Sequence, residues 1–206
     1  MINLIFPLFS FIFYIVGLYG VPWSELLPKI YPFSSYVWDS IFILFLFIVL
    51  GKEFHLKKVK LRIFLLTSIL IEILALLVGL GIVVMGIGHP LNQISELFLI
   101  AVVLAPLYEE LIFRHFFLKN KWKVFSSYFF ISTINGLFYG FYHLIPVLTG
   151  SQNGFTSFVF YQAIYSSLLG FILAYFQMRH HNLFMTWFHH VLFNSIIVAM
   201  YYMHLF

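Results

Sequence analysis

The sequence predicts an all-α, polytopic transmembrane bundle of about seven spans with its N-terminus in the cytoplasm, and three observations carry that prediction. Hydrophobic residues fill 63% of the 206 positions, only 9% are charged, and mean hydropathy is +1.01. Soluble domains carry roughly 25% charge. Apolar stretches of bilayer-crossing length recur along the chain. Nine of the eleven Lys and Arg residues lie in the second, fourth and sixth connections, with Lys29 on the opposite side and Arg114 inside a span. The basic side is the cytoplasmic one.

The first span covers residues 2–20, with no Lys or Arg before it, so it reads as a retained helix and not as a signal peptide. Pro22, Pro28 and Pro32 mark an external loop in which Trp23, Tyr31, Tyr36 and Trp38 are interface anchors. The second span, 35–50, carries Asp39, read as interfacial. The basic loop 51–62 follows. The third span, 63–87, holds Glu72 among leucines and ends in glycines that predict a loosely held terminus. The fourth, 95–118, closes on Lys119, Lys121 and Lys123. The fifth, 124–145, ends at His143, and the sixth, 155–178, ends at the inside turn Arg179-His180-His181. The seventh, 183–202, contains His189, His190 and Asn194. The whole chain reads as a single integral membrane domain, 1–206, with its catalytic core at about 95–202.

Composition also excludes. Without cysteine there is no disulfide, thiolate metal site or Cys nucleophile. The net charge of +4 comes from residues at span ends, where topology accounts for them, so no nucleic-acid partner is expected.

Ala105-Pro106-Leu107-Tyr108-Glu109-Glu110-Leu111-Ile112-Phe113-Arg114 is the stretch that composition does not explain. Each charge at a span centre costs roughly 2.5 to 3.5 kcal/mol, so three unpaired charges would cost about 8 kcal/mol. Residues four apart share a helix face, so Glu110 and Arg114 form an ion pair and Glu109 projects elsewhere. Pro106 removes a backbone N–H and kinks the helix where the carbonyl of Val102 loses its partner. A kink beside buried acids suits a water-filled pocket. On the seventh span His190 and Asn194 face together and offer donors to an oxyanion. His143 lies one turn beyond Tyr139 on the fifth. With no HExxH pair and with Arg114 nearby, no metal or other cofactor is expected. Metal-free acid–base chemistry is the better reading: Glu109 accepts a proton from water that His143 helps to hold, and His190 with Asn194 stabilises the oxyanion of an amide under attack. Glu72 and His189 are further candidates for lining the cavity.

Glu109-Glu110-x-x-x-Arg114, Tyr139-x-x-x-His143 and His190-x-x-x-Asn194, in that order on three spans, resemble the motifs of the CAAX protease and bacteriocin-processing (CPBP, or Abi) family of glutamate intramembrane proteases. The resemblance covers spans four to seven. It implies a metal-independent endopeptidase in which Glu109 and His143 activate water while His190 and Asn194 form the oxyanion hole, with Glu110, Arg114 and Tyr139 in support. Tyr139 stands where the family usually has Phe, and His115 where a Gly is common. The implied substrates are prenylated CaaX tails or bacterial leader-type peptides cleaved near the cytoplasmic face. A chain rich in Phe, Ile, Lys and Asn leans toward a bacterial plasma membrane and a peptide exporter or bacteriocin system as partner. The alternative is a non-proteolytic scaffold or immunity protein that binds a peptide or transporter in the same cavity.

One difficulty is geometric. At about 1.5 Å per residue, Glu109 lies roughly 13 Å and His190 roughly 10 Å from their cytoplasmic helix ends, against roughly 28 Å for His143. Straight antiparallel helices would leave His143 out of reach, so the fifth span is expected to be tilted, broken or wrongly bounded.

Overall fold

The structure, a computed structural model, describes residues 2–27, 29, 34–50, 57–88, 100–119, 127–148 and 155–203. Among these there is no β-strand. Helices α1 (Ile2–Tyr19), α2 (Trp23–Leu26), α3 (Ser34–Leu50) and α4 (Leu61–Met85) lead to a helix over residues 100–119, followed by α7 (Tyr128–Leu148), α8 (Thr156–His180) and α9 (Leu183–Tyr202). Within 100–119, α5 (Ala105–Glu109) is a single α-helical turn flanked by π-helical windings at Ile100–Leu104 and Glu110–Phe116, with α6 (Phe117–Lys119) closing it. Pro28, Tyr31, Pro32, Lys121, Lys123 and residues 95–99 of the fourth span lie outside the described residues.

Three helices among the described residues, Leu61–Met85, Thr156–His180 and Leu183–Tyr202, are long and apolar enough to cross a membrane. The outward face of α4 shows why. Leu66, Ile69, Ile73, Leu77 and Val84 are exposed, while Ile71, Ala75, Val78 and Ile82 of the same helix are buried against α8 and α9. An apolar exterior at helical spacing is the pattern of a surface turned to lipid.

Two buried clusters organise the molecule. One joins α4, α8 and α9. The other joins α1 and α3 to residues 111–117 and α7. In the second, Trp23 donates Nε1–H to the Gly17 carbonyl (2.8 Å) and Trp38 donates Nε1–H to the Tyr14 carbonyl (3.0 Å), so two expected interface anchors also clamp α1 to its neighbours. Asp39, read as interfacial, is buried within the bundle: it is 7% exposed and accepts the Tyr14 hydroxyl at 2.6 Å.

Pro106 deforms its helix in a specific way. Lacking an N–H, it cannot close the α-helical bond to Val102, which lies in the π winding before it, and a second π winding follows at Glu110–Phe116. Phe117 N–H accordingly donates to the carbonyl of Ile112, five residues back. Carbonyls within these windings also accept from neighbouring helices, the Phe113 oxygen from Asn135 Nδ2 (2.9 Å) and the Val103 oxygen from Trp187 Nε1 (3.2 Å). In a bilayer such substitutes for backbone bonding are what make an irregular helix tolerable.

The Gly136/Gly140 pair brings α7 and α8 together. A Cβ on Gly140 would come within 2.5 Å of the Ala163 carbonyl oxygen, and one on Gly136 within 2.5 Å of that of Ser167. Such contact between backbones is the use of small residues four apart on a buried helix face. At the end of α4, where the glycines predict a loose terminus, two of them have definite structural uses. Gly81 makes room for the Tyr161 ring, whose hydroxyl donates to the Val78 carbonyl at 2.9 Å, and Gly86 caps the helix in the left-handed conformation (φ 60°). The turn between α8 and α9 is short: His181 is left-handed (φ 49°) and the Asn182 side chain caps α9 by accepting from Met185 N–H at 2.9 Å. Asn182 Nδ2 also donates to the Lys57 carbonyl (2.7 Å), which ties the second basic connection to the sixth.

Candidate active site

The site is built where the π winding begins. Glu109 ends α5 and Glu110 opens the π turn, so the two acids leave the same helix in different directions. Glu110 is fully buried and its Oε2 lies 3.5 Å from Nε of Arg114, itself 1% exposed, which is the intrahelical pair expected from the spacing. The guanidinium also sits over the Tyr139 ring, 4.3 Å from its centroid, and 5.7 Å from that of Phe113. None of its nitrogens has a hydrogen bond among the described residues, so the cation is held by charge and by aromatic faces.

His190 joins the two acids. Its Nδ1 is 3.0 Å from Glu110 Oε1, and its Nε2 is 3.5 Å from Glu109 Oε2 and 3.2 Å from the Tyr139 hydroxyl. The Tyr139 hydroxyl donates its one proton to Glu109 Oε2. Glu110, paired with Arg114, is an acceptor for Nδ1. His190 thus lies between two carboxylates.

Glu109, His143, His190 and Asn194 all line one cavity of about 300 Å³, together with Tyr139 and a wall of apolar side chains that includes Val102, Phe158, Leu169, Phe193 and Ile197. His143 does reach it. The bounds were wrong by several residues, since α7 starts at Tyr128 and continues through Pro146 to Leu148. The residue level with Glu109 is Tyr139, and the His143 ring packs edge-on against it with centroids 4.8 Å apart, one turn further along. His143 Nε2 is buried with no hydrogen-bond partner among the described residues.

Two candidates fall elsewhere. Glu72 lies on the exposed side of α4 and does not line the cavity, because the buried face of that helix is the one carrying Ser68, Ile71 and Ala75. His189 is fully buried in the seam between α9 and α4, where Nε2 meets the hydroxyls of Thr67 (3.0 Å) and Ser68 (3.1 Å) and Nδ1 meets the Met185 carbonyl oxygen (2.6 Å). Conversely, sequence reasoning missed Asp39 and Tyr142, which line a second cavity that also touches Glu109. The signal was available: Asp39 is an acid inside an apolar span, open to the cost argument that drew attention to Glu109 and Glu110.

A buried Glu/His/Tyr network thus opens on an apolar cavity inside a helical bundle. The family model for Rce1-like proteins, described as type II CAAX prenyl endopeptidase Rce1-like, matches residues 91–196, slightly more than half of the chain. The chain belongs to this family, the CAAX-type intramembrane endopeptidases. No curated protein and no solved structure matches it.

Proposed function

We propose that the protein is a metal-independent glutamate endopeptidase whose catalytic core, residues 95–202, cleaves a membrane-associated peptide near the cytoplasmic face. One observation carries the reading: the cavity of about 300 Å³ that Glu109, His143, His190 and Asn194 share. Water held between Glu109 and His143 loses a proton to the Glu109 carboxylate as its oxygen attacks the scissile carbonyl carbon. The carbonyl oxygen becomes an oxyanion that accepts from His190 Nε2–H and the Asn194 amide. Collapse of the tetrahedral intermediate breaks the C–N bond, and the proton held by Glu109 passes to the leaving amine. Glu110 and Arg114 hold His190 in the required orientation from behind, and Tyr139 orients Glu109. The seven-span arrangement with a cytoplasmic N-terminus is supported by the contact of Lys57 with Asn182, which sets two basic connections at one end of the bundle.

The apolar wall of the cavity suits a lipidated or strongly hydrophobic segment beside the scissile bond. Leader-type peptides of a bacterial plasma membrane, handed on to an exporter or bacteriocin system, are the substrates we favour. Incubating the purified protein with a double-glycine leader peptide and with a farnesylated CaaX peptide, and mapping the products by mass spectrometry, tests both classes. Cleavage lost in Glu109→Gln and His190→Ala supports the mechanism. Unchanged cleavage in both variants removes it.

A further inference from the structure

Glu109 stands at the boundary of two cavities. Beyond the apolar one, a second chamber of about 290 Å³ is lined by Asp39, Glu109 and a set of tyrosines that includes Tyr14, Tyr36, Tyr108 and Tyr142. Its Asp39, Tyr14 and Tyr36 come from α1 and α3, outside the stretch that matches the family.

The charges in this chamber are unbalanced. Glu110 has Arg114 and His190, and Glu109 has His190. The Asp39 carboxylate, nine-tenths buried, meets the Tyr14 hydroxyl and, among the described residues, no cation. No Lys, Arg or His is among the described residues that line the chamber. A buried carboxylate without a counter-charge is expensive. The aromatic walls offer ring faces of the kind that stabilise an ammonium or guanidinium. Tyr36 and Tyr108 stack at 5.7 Å, and the Tyr108 hydroxyl lies 3.0 Å from the hydroxyl of Ser40, an exposed residue, so this wall reaches the outside of the bundle.

We propose that the chamber beside Asp39 is a substrate subsite for a cationic group, a lysine or arginine side chain on one side of the scissile bond, while the apolar cavity takes the other side. This rests on the peptidase reading above, because it is the position of Glu109 on both cavities that puts the scissile bond between them. The peptide's cation supplies the charge that Asp39 lacks. Recognition of polar sequence is thereby assigned to α1 and α3, and chemistry to the helices from residue 100 onward.

The test uses a fluorescein-labelled peptide with a farnesylated cysteine and lysine scanned through the three residues after it, paired with the same peptides bearing acetyl-lysine. Cleavage and equilibrium binding are both measured on the wild-type protein. At one position the lysine peptide is expected to exceed its acetylated twin by about tenfold in kcat/KM and in affinity, and Asp39→Asn, which keeps an acceptor for Tyr14, should bring both ratios to about one. Ratios near one at every position in the wild type overturn the subsite, as does a preference that survives Asp39→Asn. Because the wild-type comparison needs no variant, a folding defect in Asp39→Asn leaves the result readable. Lysine-selective binding without any cleavage supports the chamber and counts against the peptidase reading. Cleavage that requires Glu109 but ignores lysine does the reverse.

Discussion

Helix α9 carries two adjacent buried histidines, and its two flanks put them to different use. On the flank toward α4, His189 is surrounded by two hydroxyls and a backbone carbonyl and lines neither cavity. Toward residues 100–119, His190 is flanked by two carboxylates and a tyrosine and opens on the apolar cavity. Burial and residue type are the same. What differs is the charge of the partners and the presence of space, and a buried polar side chain points to chemistry only when it has both.

The largest effects should break the His190 flank. Glu109→Gln and His190→Ala are each expected to lower kcat/KM by about 10² to 10⁴ while the purified protein keeps its helical circular dichroism, since general base and oxyanion stabilisation are worth that much. Full activity in either variant would move the chemistry away from this flank. Next comes the ion pair behind it. Arg114→Met takes the guanidinium from the buried Glu110 carboxylate, leaving His190 beside it, and should cost about 3 to 5 kcal/mol in detergent unfolding. Adding Glu110→Gln should recover part of that loss, and a double variant no more stable than Arg114→Met would show that the pair is not the relevant unit.

Smaller effects sharpen the contrast between the flanks. Gly140→Ala forces a methyl against the Ala163 carbonyl and is expected to lower stability by about 1 to 3 kcal/mol, with Tyr139 displaced and activity reduced in step. His189→Ala should also cost about 1 to 3 kcal/mol, read as a lower melting temperature, with kcat/KM per folded molecule unchanged. A large loss of activity there would erase the distinction between the two histidines. Smallest is Tyr139→Phe, which restores the residue usual in the family and removes one hydrogen bond to Glu109. A fall in kcat of about 2- to 10-fold with KM little altered is the expected result.

Much of this was legible in order along the chain. Apolar runs in lipid must become helices, and the helices α1, α3, α4, α8 and α9 begin and end within about two residues of the stretches that predict them. The Glu110–Arg114 pair followed from helical spacing alone. The start of α7 was harder to place, since Val124 to Ser127 are as compatible with a span as the residues after them. Glu72 and Asp39 were each an acid in an apolar run, and sequence ranked them wrongly: the first is on the exposed side of its helix and the second is buried against Tyr14. Hydropathy gives the cost of a charge, but it does not say which neighbour will face it.

By itself, then, the sequence determined the helical membrane class, the positions of most helices and the separation of the two glutamates, because each depends on interactions within one helix or between one helix and its solvent. Tertiary structure decided that Tyr139 and not His143 is level with Glu109, that His190 is held between two acids, and that Glu109 opens on two cavities of different chemistry. Those outcomes depend on how closely α7 approaches α8 through Gly136 and Gly140 and on how the π turns around Pro106 rotate the acids. Both are relations between helices, set by packing across the bundle and by backbone bonds that Pro106 cannot make.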